Sequence, residues 1–230
     1  LYIQEEKHWW HISKRNVVKG VLGAILRNRN LKILDIGCGA GKTMDMLSRF
    51  GTVWGLDNNK KALSFCKKRG FQHLMLADAA DTGFKDNFFD VVTMLDVLEH
   101  TDENTTLQEI KRILKPDGFM IITVPTYQWL WSSWDEALKH KKRYTKHNLG
   151  AAVKKNGFTI IQSSYMYSFL TLPVFIFRKL KSRQKSYESD FSTNPPFVNF
   201  LCTLFANIER YFVMRGLIPF GTSLILVCKK

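Results

Sequence analysis

Cysteine is scarce in this chain. Four residues (Cys38, Cys66, Cys202, Cys228) are scattered through 230, and no two form a C-x-x-C pair. That spacing excludes a zinc ribbon or a disulfide framework and fits a reducing, cytoplasmic setting. Low-complexity tracts and internal repeats are absent, so fibrous and solenoid architectures are excluded. The opening residues, Leu1 to His8, mix polar and apolar types and lack the apolar core of a signal peptide; the first is not Met, which predicts a trimmed chain. The apolar stretch from Tyr165 to Phe177 is too short to cross a bilayer.

Acid is also scarce. Twenty Asp and Glu face 34 Lys and Arg, leaving a formal charge of +14. Such an excess suits nucleic acid, an anionic membrane surface or an acidic substrate. Its distribution decides between them. One cluster runs from Lys139 to Lys146, another from Arg178 to Lys185. The second directly follows the apolar stretch, a pattern of membrane surfaces more than of nucleic-acid grooves, so no nucleic-acid partner is expected.

What is present is an ordinary globular composition, 45% hydrophobic, in a length that suits one domain. Residues 14–29 read as a basic amphipathic helix. Short apolar runs at 31–36, 52–57, 73–77, 90–95 and 119–124 read as strands, with helices predicted at 42–50, 59–69 and 103–115. Pro116-Asp117-Gly118 is expected to close the last of these helices. Five strand–helix alternations predict a doubly wound parallel sheet, whose ligands bind beyond the carboxyl ends of the strands. A helix at 146–156 and strands at 158–164 and 222–228 complete the core. Residues 165–221 are left as an apolar insertion.

The first strand runs into Asp35-Ile36-Gly37-Cys38-Gly39-Ala40-Gly41-Lys42-Thr43. Glycines between a strand and a helix let the backbone approach a ligand closely, beside the free amides of the helix start. A nicotinamide fingerprint, G-x-G-x-x-G, needs its third glycine at Lys42. A phosphate-binding P-loop needs a glycine where Ile36 stands. The spacing G-x-G-x-G after an acid resembles motif I of the class I S-adenosylmethionine-dependent methyltransferases. Asp57 ends the second strand, where an acid can accept from both ribose hydroxyls. Leu76-Ala77-Asp78-Ala79, Leu95-Asp96-Val97-Leu98-Glu99-His100 and Leu114-Lys115-Pro116-Asp117-Gly118-Phe119 are similar to that family's later motifs.

The resemblance covers about residues 31–164 and the last strand. It implies an α/β fold with a seven-stranded sheet, the last strand antiparallel, and a helical insertion between strands six and seven. It implies a methyltransferase of the small-molecule type using S-adenosyl-L-methionine and releasing S-adenosyl-L-homocysteine. It places the cofactor against Asp35, Gly37, Cys38, Gly39, Gly41, Asp57, Asn58, Asp78, Ala79, Leu95 and Asp96, with Asp78 taking the adenine amino group. Cys38 itself reads as a small buried filler, not a nucleophile.

Candidate chemistry lies outside those motifs. His100 follows the fourth strand at the mouth of the site. His140 sits in His140-Lys141-Lys142-Arg143-Tyr144-Thr145, which resembles an H-x-x-R-Y-T stretch of some family members. Both are candidate bases or acceptor-orienting groups, and Arg143 and Tyr144 are candidates to bind a substrate oxygen. Alternatively the run is a solvated basic loop. Trp9 and Trp10 precede the first strand; Trp10 is a candidate lid on the cofactor and Arg15 a partner for its carboxylate. Trp129, Trp131 and Trp134 suggest an apolar acceptor pocket, with Trp131 the chosen substrate contact. No metal is expected.

Phe197 to Met214 carries apolar residues at helical spacing. With the basic flanks, residues 165–214 fit a monotopic membrane contact. They equally fit a lid over a greasy substrate, a contact between copies in a homo-oligomer, or a helical subdomain packed on the sheet. The domain plan is one unit, 1–230: an N-terminal lid helix at 1–30, the core at 31–164 and 222–230, and the insertion at 165–221. The expected activity is methylation of a small-molecule or lipid-linked acceptor at oxygen. The alternatives are a nucleic-acid or protein methyltransferase, or a non-catalytic nucleotide-binding protein. The N/D-P-P-Y/F motif of enzymes acting on base amino groups is absent after the fourth strand.

Overall fold

The computed structural model describes residues 2–26, 30–181 and 195–230. Its centre is a seven-stranded sheet: β1 (Leu31–Ile36), β2 (Gly51–Asp57), β3 (Leu74–Leu76), β4 (Phe89–Leu95), β5 (Leu114–Pro125), β6 (Thr159–Met166) and β7 (Ser223–Lys229), in the order β3-β2-β1-β4-β5-β7-β6. The first five are parallel, and β7 runs antiparallel between β5 and β6. β1 and β4 are near-continuous apolar runs because helices cover both faces of the sheet. Strand order reverses between β1 and β4, so a crevice opens at their carboxyl ends.

The covering helices are α1 (Tyr2–Lys7), α2 (Trp9–Ile25), α3 (Lys42–Leu47), α4 (Lys60–Lys68), α5 (Glu103–Ile113), α6 (Ser133–Ala137), α7 (Lys146–Lys155), α8 (Ser168–Lys181) and α9 (Pro196–Val213). α2 begins five residues earlier than the apolar spacing suggests. The His8 side chain caps it by accepting from the Trp10 amide, which brings both tryptophans onto the helix. Residues 27–29, the end of the expected helix, lie outside the described residues.

The Pro116-Asp117-Gly118 signal also resolves differently. α5 stops at Ile113, and the turn is an irregularity inside β5. Leu114 pairs with Phe89, the register then shifts, and Phe119 pairs with Val91. Asp117 takes a left-handed φ of 63° to make this possible.

The insertion forms two helices. α8 starts where the buried Glu209 accepts from the Tyr167 and Ser168 amides, at 2.9 and 2.8 Å. α9 lies on α2. Gly20 faces the Met214 side chain just past the end of α9, where a Cβ would stand 2.7 Å from its Sδ. Val18 and Leu22 of α2 are fully buried in the same cluster, each contributing about 1.5–3 kcal/mol. The Arg178–Lys185 cluster lies outside the residues whose side chains are described. Among the described residues no helix is long and apolar enough to cross a membrane.

Candidate active site

The crevice is one cleft of about 2000 Å³. Its floor is the glycine turn. The Gly37 and Cys38 amides donate to the Leu56 carbonyl at 2.7 and 3.1 Å, which holds the turn against the end of β2. Gly37, Gly39 and Gly41 all have positive φ, +70°, +55° and +85°. A Cβ on Gly37 would sit 2.2 Å from Val97 Cγ2, so the turn tolerates no side chain there. Asp57 crosses back to the turn, accepting from the Gly39 amide at 3.0 Å and from Asn59 at 2.8 Å.

Asp35 is buried below the turn. Its Oδ1 accepts from the Thr93 hydroxyl at 2.6 Å, while Oδ2 has no hydrogen-bond partner. Burial pushes its carboxyl up to about 7, against the lowering effect of Thr93. Asp78, exposed at the end of β3, accepts from the Ala80 amide at 2.8 Å.

Two contacts here were not read from the sequence. Glu5 of α1 lies on the glycine turn, its carboxylate accepting from the Ala40 amide at 2.9 Å and the Lys42 amide at 3.4 Å. Burial nevertheless raises its pKa. Lys14 is fully buried, bonded to Asp96 and placed 3.2 Å over the Trp10 ring. Desolvation pulls its pKa well down. Asp96 holds a left-handed φ of 55° and also accepts from the Thr123 hydroxyl at 3.0 Å. Strain of this kind is kept where surrounding contacts over-determine it. A signal for Lys14 existed: it stands on the stripe of Val17, Val18 and Val21, where a cation needs a buried acid.

Trp10, His11 and Arg15 line the cleft from the α2 side. Burial, then the Lys14 charge, takes His11 down to about 2. Trp9 is packed edge-on against Tyr167, 5.2 Å between ring centres, so core packing accounts for it.

At the other end stand His100 and His140, with ring centres 4.7 Å apart. Burial, then the neighbouring His140, lowers the His100 pKa. His140 Nδ1 meets Asp135 Oδ1 at 2.8 Å. Asp135, fully buried, also binds the Arg143 guanidinium and the Ser132 amide. These partners overcome its desolvation and hold its carboxyl well below the usual range. Ser132 and Asp135 form a capping box, a local signal that could have exposed Asp135.

Trp131 and Trp134 line this end of the cleft, whereas Trp129 is 55% exposed and stacks on Tyr127. Arg143 lines the cleft, but its guanidinium is committed to Asp135 and the Thr126 carbonyl. Tyr144, expected beside it, is not in the cleft: its side chain lies in the core at 1% exposure. Residues 126 and 144 form a parallel bridge, and in such extended chain neighbouring side chains face opposite ways. Gly41 sits behind the turn against Cys66 and Arg69, and is likewise outside the lining. The other expected contacts, Cys38, Asn58, Ala79, Leu95 and Asp96 among them, line it. α8 and α9 add an apolar wall of Leu170, Val174, Val198 and Cys202.

This sheet order, with β7 reversed and the glycine turn at the switch point, defines the class I methyltransferase fold. The methyltransferase domain family matches residues 34–122. The chain is 29% identical over 157 residues to the ubiquinone biosynthesis O-methyltransferase of Bartonella tribocorum, covering 57% of this chain and 62% of that one. It is 33% identical over 96 residues to an Arabidopsis thaliana tRNA (carboxymethyluridine(34)-5-O)-methyltransferase, 40% of this chain and 23% of the other. The chain thus spans less than two thirds of these curated relatives. Among solved structures it is similar to a SAM-dependent methyltransferase from Archaeoglobus fulgidus, with TM-score 0.61 and 18% identity over 99% of this chain and 98% of that one. Residues 34–122 thus match a methyltransferase domain, and the described residues take the fold of the class I S-adenosylmethionine-dependent methyltransferases. The unpaired Asp35 Oδ2, with the Gly37 and Gly39 backbone lining the cleft beside it, fits a polar ligand seated on the turn.

Proposed function

We propose that the chain methylates an oxygen of a small-molecule or lipid-linked acceptor. One observation carries the reading: a single cleft joins the glycine turn to the His100–His140 pair and is walled by the apolar insertion. S-adenosylmethionine, when bound, supplies a methyl group on a sulfonium. Asp57 is assigned to its ribose, Asp78 to its adenine, and Arg15 with the Gly37–Gly39 turn to its methionine end. Trp10 then covers the cofactor and keeps water from the methyl group. Displacement from a sulfonium needs little covalent help, so alignment and dryness supply much of the rate. His100 and His140 orient the acceptor oxygen, beside Trp131 and the wall of α8 and α9.

The exposed aromatic face of the insertion supports an acceptor drawn from a lipid surface. Phe197, Phe200, Ile208 and Tyr211 are each more than half exposed. A nucleic-acid acceptor is the second reading, favoured by the charge of +14 and by the Arabidopsis relative.

Calorimetric titration with S-adenosylmethionine and with NAD tests the cofactor. Radiolabelled methyl transfer to hydroxylated lipids, water-soluble phenols and tRNA tests the acceptor. Saturable S-adenosylmethionine binding with label in an oxygen of the first two supports the reading. Binding of NAD alone, or label only in tRNA, overturns it.

A further inference from the structure

The acceptor end of the cleft holds a group that orienting an oxygen does not explain. Glu99 lies beside the two histidines, at 1% exposure, and its Oε2 has no hydrogen-bond partner. A buried carboxylate oxygen left unpaired is costly. The nearby cations are committed elsewhere: Lys14 is bonded to Asp96, and Arg143 makes a two-pronged contact with Asp135. One ligand atom from each of Glu99, His100 and His140 lies within 4.8 Å of the other two. That is the spacing of groups that can share one ion.

The groups behind the histidines point the same way. His140 Nδ1 faces the Asp135 carboxylate at 2.8 Å, and Asp135 is kept ionised by Arg143. Nδ1 is engaged by that carboxylate, which leaves Nε2 as the ring atom available to face an ion. A carboxylate behind an imidazole is the arrangement that fixes the tautomer and direction of a metal-ligating histidine. His100 is held by the backbone carbonyls of Leu138 and Lys139, on the same loop. Glu99 and His100 come from the turn after β4, and His140 from the loop after α6. Two separate elements thus converge on one point at the cleft's acceptor end.

We propose that Glu99, His100 and His140 form a site for one divalent transition-metal ion, facing the methyl acceptor. This departs from the expectation of a metal-free enzyme, and its catalytic meaning rests on the methyl-transfer reading above. Two imidazoles and one carboxylate favour zinc, manganese or iron over magnesium and calcium, which take oxygen donors. Three protein ligands leave positions open for oxygens of the acceptor. An acceptor hydroxyl on such an ion would be more acidic and would give its proton to solvent water in the cleft as its oxygen bonds the methyl carbon and the carbon–sulfur bond of the sulfonium breaks, releasing S-adenosylhomocysteine; the histidines would then hold the ion and not act as the base.

The test uses the untagged full chain, stripped with EDTA and titrated calorimetrically with ZnCl2, MnCl2 and MgCl2. One equivalent of zinc or manganese is expected to bind at micromolar or lower concentration, with magnesium at least 100-fold weaker. His100→Ala, at a solvent-facing position, and His140→Gln are each expected to weaken binding at least tenfold. Cobalt(II) is expected to give a visible absorption band that both variants lose. Absence of a stoichiometric site, or binding unchanged in both variants, overturns the proposal. S-adenosylmethionine titration of the same samples keeps the two ideas apart. A chain that binds the cofactor but no metal sinks only the metal site. A chain that binds metal but not the cofactor sinks the methyl-transfer reading.

Discussion

Asp135 and Arg143 form a buried two-pronged ion pair, Nε to Oδ1 at 2.7 Å and Nη2 to Oδ2 at 3.0 Å. The pair ties α6 to the loop before α7 and sets the direction of His140. Removing one partner strands the other charge in the interior. Asp135→Asn is expected to cost about 3–5 kcal/mol in urea unfolding. Arg143→Lys is expected to lose more than half of that, because an ammonium cannot match the fork. A change under 1 kcal/mol in both variants would show that the pair is dispensable.

Gly37→Ala addresses the floor of the cleft. The new Cβ meets Val97 at 2.2 Å, at a φ that L residues avoid. A loss of at least about 2 kcal/mol in stability is expected, with cofactor affinity down tenfold or more by calorimetry. Val97→Ala in the Gly37→Ala background is expected to recover part of the stability, because it removes the clash but not the φ penalty.

Asp35 gives a pH signature. Its folded pKa, about 7, lies above the value of 3.8 for a free side chain. The native state therefore keeps a proton that the unfolded chain has lost between those values. By linkage, its contribution is fully present below pH 4 and is lost as pH rises through 7. Asp35→Asn removes this dependence. The variant is expected to gain on the wild type between pH 5 and pH 8, by on the order of 1–4 kcal/mol. Equal unfolding midpoints for the pair at both pH values would refute this.

Glu5 is expected to govern the order of the glycine turn. Its carboxylate accepts from the Ala40 and Lys42 amides. Hydrogen bonds to a charged group contribute roughly 1.5–3 kcal/mol each. Glu5→Ala should raise hydrogen exchange at Ala40 and Lys42 by about tenfold or more, and leave the β4 amides unchanged. Exchange that does not move would mean α1 is not what protects the turn.

The lipid reading predicts a loss confined to one face. Phe197 and Phe200 are 69% and 64% exposed. Their joint change to Ser is expected to cut flotation with phosphatidylglycerol vesicles, by on the order of tenfold per aromatic if each ring enters the apolar layer. The unfolding midpoint should stay within error. Unchanged flotation would remove the lipid surface from the account.

The parts of this site that were legible in the sequence are those that local chemistry dictates. A buried parallel strand needs a continuous apolar run, and a turn at positive φ needs glycine, so β1, β4 and Gly37 announce themselves. Asp57 and Asp78 are placed by the ends of their strands. What was not legible depends on partners distant in sequence. Lys14 finds Asp96 across 82 residues, and Glu5 finds Ala40 across 35. Neither distance is written in a period or a spacing. Tyr144 shows the converse error: one residue along an extended segment turns a side chain from the cleft into the core.

The position of α2 has one more consequence. Near its start it carries Trp10 and Lys14 into the cleft, and further along Gly20 meets Met214 at the end of α9, with the Trp9 amide bonded to Asn199. The insertion and the wall of the cleft thus share one helix. A ligand that displaces α9 is therefore expected to reach the cleft through α2. The coupling is reciprocal by thermodynamic necessity: a ligand on α9 that changes cofactor affinity by some factor has its own affinity changed by the same factor.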